Sequence, residues 1–184
     1  MNEGEGKMAR ATKELSDEHQ NILKVIGALV QECDAIDGGK EVDREFFSKA
    51  VDFIRNYADK FHHAKEEDIL FKELDRPGVE MHCDPRQQML HEHDLGRSFV
   101  KGIEDGVSQA KKEQVVENAR GYARLLQEHI YKEDNILYPM AENALGEERS
   151  EEMAGHFRAV NEDFAEANEK HLSFAQAIMT RAPS

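Results

Sequence analysis

His62-His63-Ala64-Lys65-Glu66-Glu67-Asp68-Ile69-Leu70-Phe71 decides the fold, because the chain repeats it as His129-Ile130-Tyr131-Lys132-Glu133-Asp134-Asn135-Ile136-Leu137-Tyr138. Both stretches read His-x-x-Lys-Glu-acid-x-Ile-Leu-aromatic. Residues four apart on an α-helix lie about 40° apart and one turn along the axis. His62 with Glu66, and His129 with Glu133, therefore present an imidazole and a carboxylate on one face. One such pair is common on a solvated helix surface. Two copies at matching places in a repeat point instead to metal-ligand geometry, since imidazole suits iron, zinc and copper and a carboxylate can bridge two cations.

Working outward, each copy is preceded at a distance by a Glu-His pair, Glu18-His19 and Glu92-His93, so the chain reads as a duplicated pair of helices. Apolar spacing of three and four predicts a first helix through Leu15, Ile22, Val25, Ile26 and Leu29, capped by Thr12 or Ser16 and stopped near Asp37-Gly38-Gly39. A second, about thirty residues long, opens at Asp43 and ends at Arg76-Pro77-Gly78. His82, Cys83 and Pro85 fall in a loop before a third helix from Arg86, whose end is expected to be weakened by Gly102 and Gly106. A fourth starts at Lys111-Lys112-Glu113, with Pro139 and Gly146 marking its last turns. Met153, Phe157, Val160 and Phe164 then form the stripe of a C-terminal helix, about 148–181, packed on the outside. No segment alternates as a strand. The expectation is one all-α domain, an up-and-down four-helix bundle over about 12–145 with an additional C-terminal helix.

Spacing between helices tests whether the ligand candidates meet. If antiparallel helices carry ligands at one depth, the turn joining them falls at the midpoint in sequence. The His19/His62 midpoint lies between Lys40 and Glu41, the His62/His93 midpoint between Pro77 and Gly78, and the His93/His129 midpoint at Lys111. Each is at or beside an expected turn. Four histidines and two glutamates can then share one level inside the bundle, where they need a metal or hydrogen bonds to offset their burial.

The rest of the sequence limits the alternatives. Of the 184 residues, 39% are hydrophobic and 34% charged, with four prolines and no tryptophan, which fits a folded, helix-rich chain. A net charge of -14 with no clustered Lys/Arg argues against nucleic acid or an anionic membrane as partner. Cys33 and Cys83 have no CxxC spacing and are too few for a disulfide framework, so a reducing compartment is expected. Residues 1–10 lack the apolar core of a signal peptide, and no run of 18 apolar residues follows; a cytoplasmic location is expected. The absence of Glu-x-x-His pairs disfavours a ferritin-like iron oxidase, and the absence of HExxH disfavours a zinc hydrolase.

The ordered set of His19, His62-x-x-x-Glu66, His93 and His129-x-x-x-Glu133, with FHHAKEEDILF and EHIYKEDNILYP, resembles the hemerythrin-like, or HHE cation-binding, family over about residues 12–145. The resemblance implies two non-heme iron ions, with His19, His62, His93 and His129 divided between them and Glu66 and Glu133 as bridges, joined by a hydroxide. Two ferrous ions bring four positive charges; two carboxylates and one hydroxide leave one. Oxygen-carrying hemerythrins have a further histidine where this chain has Met89, and an Asp five residues after the fourth-helix histidine, the place of Asp134. Glu133 is preferred as bridge because it repeats Glu66, with Asp134 the alternative. Hemerythrin-like iron sensors use a carboxylate directly after the second-helix histidine, which makes His63 a further candidate ligand, although it points about 100° from His62. His91, His82, His156 and His171 are assigned surface or packing roles. The functional expectation is a diiron protein that binds or senses O2, NO or iron and signals through a redox or signalling partner; the alternatives are an enzyme using peroxide or NO, and a metal-free helical adaptor. Ile22, Leu23, Leu70 and Leu137, one turn from the ligands, form a candidate apolar wall around the site.

Overall fold

The computed structural model describes residues 10–178; the amino-terminal stretch read above for a signal peptide and the expected end of the last helix near 181 lie outside these. Five helical segments follow one another: α1 (Arg10–Asp37), α2 (44–74), α3 (Arg86–Ser108), α4 (112–145) and α5 (147–177). Strands are absent among the described residues. The four-helix bundle carries α5 as the expected addition, packed against α1 through Asn161 and Glu14 and against α2 through Phe164 on Phe61 and Phe174 on Phe53. No described helix is long and apolar enough to cross a membrane.

The turns fall where the ligand midpoints require. Gly39 (φ 106°) and Gly78 (φ 85°) take left-handed conformations after α1 and α2, and Ala110 (φ 54°) does so between α3 and α4. Asp43 caps α2 by accepting from Phe46 N–H at 2.9 Å. Gly146, at φ 72° and ψ 178°, breaks the helical path so that α5 turns away from α4.

Two expectations are corrected. Thr12 and Ser16 do not cap α1, which already runs from Arg10; their hydroxyls reach across to α4, Thr12 to Glu142 and Ser16 to Asp134 at 2.6 Å. Gly102 and Gly106 do not weaken the end of α3, which continues to Ser108. They let α4 come close: a Cβ on Gly106 would lie 2.8 Å from Val115 Cγ2 and 3.0 Å from its backbone nitrogen.

The core is divided into two apolar clusters. One contains Ile22, Phe53, Phe61, Val100, Tyr122 and Leu126; the other contains Leu15, Leu70, Met89, Leu137 and Phe157. Along every bundle helix the residues separating the two clusters are the histidines and glutamates of the repeat. The proposed wall residues thus belong to both: Ile22, with Leu23 against it, on one side and Leu70 and Leu137 on the other.

Candidate metal centre

The carboxylates arise from a local departure from α-helix. α2 winds with i→i+5 hydrogen bonds over Ile54–His63 and again over Glu66–Leu70, and α4 does so over Glu133–Leu137. In the last two, the wide turn is closed by the carbonyls of Glu66 and Glu133 themselves, bonded to Phe71 N–H and Tyr138 N–H. Such π-turns re-aim side chains and cluster at functional sites. Here they change the expected pairing: His62 Nε2 is 3.9 Å from Glu66 Oε2, whereas His129 Nε2 is 2.9 Å from Glu133 Oε1.

All seven sequence candidates lie in the layer between the clusters, buried to 5% exposure or less. Their donor atoms form two adjoining groups, His63, Glu66, His93 and His129 in one and His19, His62 and Glu133 in the other. Glu133 spans both, with Oε2 3.3 Å from His19 Nε2 and Oε1 2.9 Å from His129 Nε2. Glu66 Oε2 lies 3.5 Å from His93 Nε2 and 3.9 Å from His62 Nε2. Each carboxylate therefore reaches histidines of both groups. His63, on a π-turn rather than an α-helix, lies inside the layer with its ring stacked on His93, centroids 3.8 Å apart. Asp134 is outside both groups.

Four outer carboxylates fix the rings, and these the sequence reading did not identify. Nδ1–H of His62 donates to Glu18 (2.9 Å), of His129 to Glu92 (2.8 Å), of His93 to Glu67 (2.7 Å) and of His19 to Asp134 (3.0 Å). The residue before each first-pair histidine thus holds the ring of the next helix, and the residue after each inner glutamate holds the remaining two. The signal was present in the repeat, in Glu18-His19 with Glu92-His93 and in Glu66-Glu67 with Glu133-Asp134. Lys65 and Lys132 bind the far oxygens of Glu18 and Glu92.

This arrangement fits a cation. With the proton held on Nδ1, each neutral ring points an Nε2 lone pair inward. Those of His19 and His62 are 2.9 Å apart, and those of His93 and His129 are 3.0 Å apart. Lone pairs facing at that distance repel unless a proton or a metal lies among them. Glu66 Oε2, both Glu133 oxygens and both His63 nitrogens are buried without a hydrogen-bond partner. Orphaned acceptors at this density are costly to bury, and a metal satisfies them together.

Protons take that role when metal is absent. Burial disfavours charge on His129, but the charge and contact of Glu133 and the bond to Glu92 raise it to about 10. The same opposition raises His19, against burial, through Asp134 and Glu133, and His93 through Glu133 and Glu67, each to about 9. Burial, then the Glu133 charge, pushes Glu66 up to about 8. Burial holds His62 and His63 well below the usual imidazole value, helped by the charges of His19 and His93 respectively.

Two of the differences between the copies of the repeat bear on the buried layer. Beside His62 stands His63, but beside His129 stands Ile130; the aromatic ending the second copy is Tyr138, where the first has Phe71. Tyr138 Oη donates to Glu66 Oε1 at 2.7 Å and lies 3.4 Å from His19 Nε2, while Phe71 stacks on His93. Met89 is buried in the second apolar cluster. His82, His91 and His156 are exposed, and His171 is buried against Phe53 and 3.4 Å from Asp52. Cys83 is exposed and Cys33 buried, both free thiols.

A helical bundle whose buried cross-section is built from imidazoles and carboxylates belongs to the class of cation-binding bundles. The hemerythrin HHE cation binding domain matches residues 10–141, and the chain belongs to that family. No curated protein and no solved structure matches the chain.

Proposed function

We propose that the chain is a non-heme diiron protein that binds or senses O2, NO or iron status. His63, Glu66, His93 and His129 would hold one ion and His19, His62 and Glu133 the other, with the two carboxylates bridging. The observation that carries this reading is the pair of facing Nε2 atoms in each half, each ring fixed through Nδ1 by an outer carboxylate. Iron bound there supplies a site for a diatomic or peroxidic ligand and for electron exchange. The protein's part is to fix the tautomer of each ring, to keep the centre between two apolar clusters, and to balance charge with the outer carboxylates.

A second reading, an enzyme acting on peroxide or NO, is favoured by the three-donor half, which leaves more of an ion's coordination to other ligands. A redox or signalling protein would then receive or supply the electrons. Two free thiols support a reducing, cytoplasmic setting.

The test is metal analysis of untagged protein from iron-replete cells, with the visible spectrum recorded before and after reduction and re-exposure to oxygen. About two irons per chain and oxygen-dependent charge-transfer bands are expected, both lost in a His62→Ala, His129→Ala double variant. Absence of transition metal even after anaerobic reconstitution with ferrous iron would leave the metal-free helical adaptor as the better account.

A further inference from the structure

α5 is tied to one half of the buried layer through a lysine. Lys65, on α2, has no side-chain exposure, and its ammonium donates to Glu18, to Glu14 (2.9 Å) and to Asn161 Oδ1 of α5 (3.2 Å). Asn161 also donates to Glu14 at 2.9 Å. The ammonium lies 4.1 Å from the ring centre of Phe61 and 5.3 Å from that of Phe157, which α5 supplies. A buried ammonium is tolerated only when it is paired and hydrogen-bonded. Two of the groups that enclose this one, Asn161 and Phe157, belong to α5.

The second copy of the repeat provides the comparison. Lys132 stands where Lys65 stands and binds Glu92 as Lys65 binds Glu18, but its side chain is 26% exposed. The counterparts of Phe61 and Glu14 are Glu128 and Gln88, both exposed. His129 is therefore held by a carboxylate whose lysine meets water, and His62 by one whose lysine is sealed under α5. Interactions between charges are screened far less in the sealed case. A change at Asn161 is thus felt at Glu18, and it passes along the 2.9 Å bond to His62 Nδ1.

The seat of α5 is itself light. The helix leaves the bundle at Gly146, φ 72°. Between Phe157 and Asn168 no residue is buried, and only Val160, Asn161 and Phe164 are partly so. Asn168 Oδ1 and both nitrogens of His171 are buried there without a hydrogen-bond partner. Few buried apolar contacts and orphaned polar groups mark a segment that opens at low cost.

We propose that Asn161 and Lys65 are positioning residues for the three-donor half, acting through Glu18 on the His62 ring. Metal held by His19, His62 and Glu133 and the seating of α5 then strengthen one another, while the four-donor half is indifferent to α5. Such coupling is reciprocal, so whatever lifts α5 loosens one ion of the two. The metal in this statement rests on the diiron reading; the link from Asn161 to His62 does not.

Two measurements separate these. In metal-free protein, NMR of the histidine Nδ1–H protons should show solvent exchange at His62 about five- to tenfold faster in Asn161→Leu, which keeps the size of the side chain and removes its hydrogen bonds. Exchange at His129 should stay within about twofold of the parent. Lys65→Met should act on His62 in the same sense, whereas Lys132→Met should leave His62 unchanged. In protein loaded with ferrous iron, chelator competition on Asn161→Leu should find one ion weakened about tenfold and the other as in the parent. Hydrogen exchange of the 158–167 amides, slowed by iron in the parent, should not be slowed by iron in that variant. An unchanged His62 in Asn161→Leu protein of parent-like helical content, or equal changes at His62 and His129, overturns the link. Equal weakening of both ions overturns the restriction to one half. A parent protein that binds no iron but shows the His62 response refutes the diiron reading and leaves the positioning of His62 by α5 standing.

Discussion

Glu18 and His62 are joined across α1 and α2 by a hydrogen bond of 2.9 Å from the ring Nδ1–H, and Glu92 and His129 repeat it at 2.8 Å across α3 and α4. Each carboxylate keeps the ring's other nitrogen free to face the centre. Glu18→Gln and Glu92→Gln retain shape but remove the charge that fixes the tautomer. Each should weaken iron binding by about 10- to 100-fold, read by competition with a chelator, with helical content unchanged. Parent-like affinity in both would show that the outer carboxylates do not orient ligands.

Metal and pH should act on stability together. In metal-free protein the raised groups, His19, His93, His129 and Glu66, contribute stability that is complete below their ordinary values of 6.5 for the imidazoles and 4.5 for the carboxyl. It falls as pH rises above these and is gone once pH passes about 8 to 10. His62 and His63, held low, contribute stability that is present above pH 6.5 and lost as pH falls. The metal-free melting temperature should therefore peak near pH 6.5, the unfolded-state imidazole value, and fall on both sides. Iron at about 100 times its Kd should add about 2.7 kcal/mol and flatten the alkaline limb, because the metal replaces the protons. Calorimetry across pH 5 to about 10 checks both; an alkaline limb unaffected by metal would contradict the account.

Tyr138→Phe removes the hydroxyl bonded to Glu66 Oε1. In metal-free protein this should cost about 1–3 kcal/mol by urea unfolding. The loss should shrink once iron is bound, since the ion then satisfies the carboxylate. An equal loss with and without metal would assign Tyr138 to packing alone.

Gly106→Ala tests the close approach of α3 and α4. Its Cβ would press on Val115, including the backbone nitrogen. Overpacking of this kind costs about 1–3 kcal/mol, despite the gain in helix propensity. A stabilised variant would mean that the helices separate easily there.

His63→Ile makes the first half resemble the second at the position of Ile130. Iron should be lost from the four-donor half while the ion held by His19, His62 and Glu133 remains, so stoichiometry should fall toward one per chain. Two tightly bound irons would remove His63 from the ligand set.

The fold was legible because register and burial follow from spacing. Ligand midpoints led to the turns at Gly39, Gly78 and Ala110, and the apolar stripes gave the helices. The position of His63 was not legible from α-helical geometry, since 100° per residue does not hold across a π-turn. Glu18, Glu67, Glu92 and Asp134 lay in the repeat, Asp134 read there as the alternative bridge, but which ring each one reaches depends on how neighbouring helices face one another, and spacing along one helix does not give that. The glycines of α3 were misread for a related reason: propensity describes a helix alone, and these two answer to a neighbour.

On the diiron reading, the differences between the two copies of the repeat have an electrochemical consequence. Two ions set in a fully symmetric frame would compete equally for an added electron. Here one half carries His63 and the other has Tyr138 near its donors, so the halves offer different ligand fields. A singly reduced centre should consequently keep its extra electron on one ion, giving a valence-trapped signal in electron paramagnetic resonance and two separate reduction potentials. The duplication built the frame, and on that reading His63 and Tyr138, which depart from it, would decide which ion is reduced first.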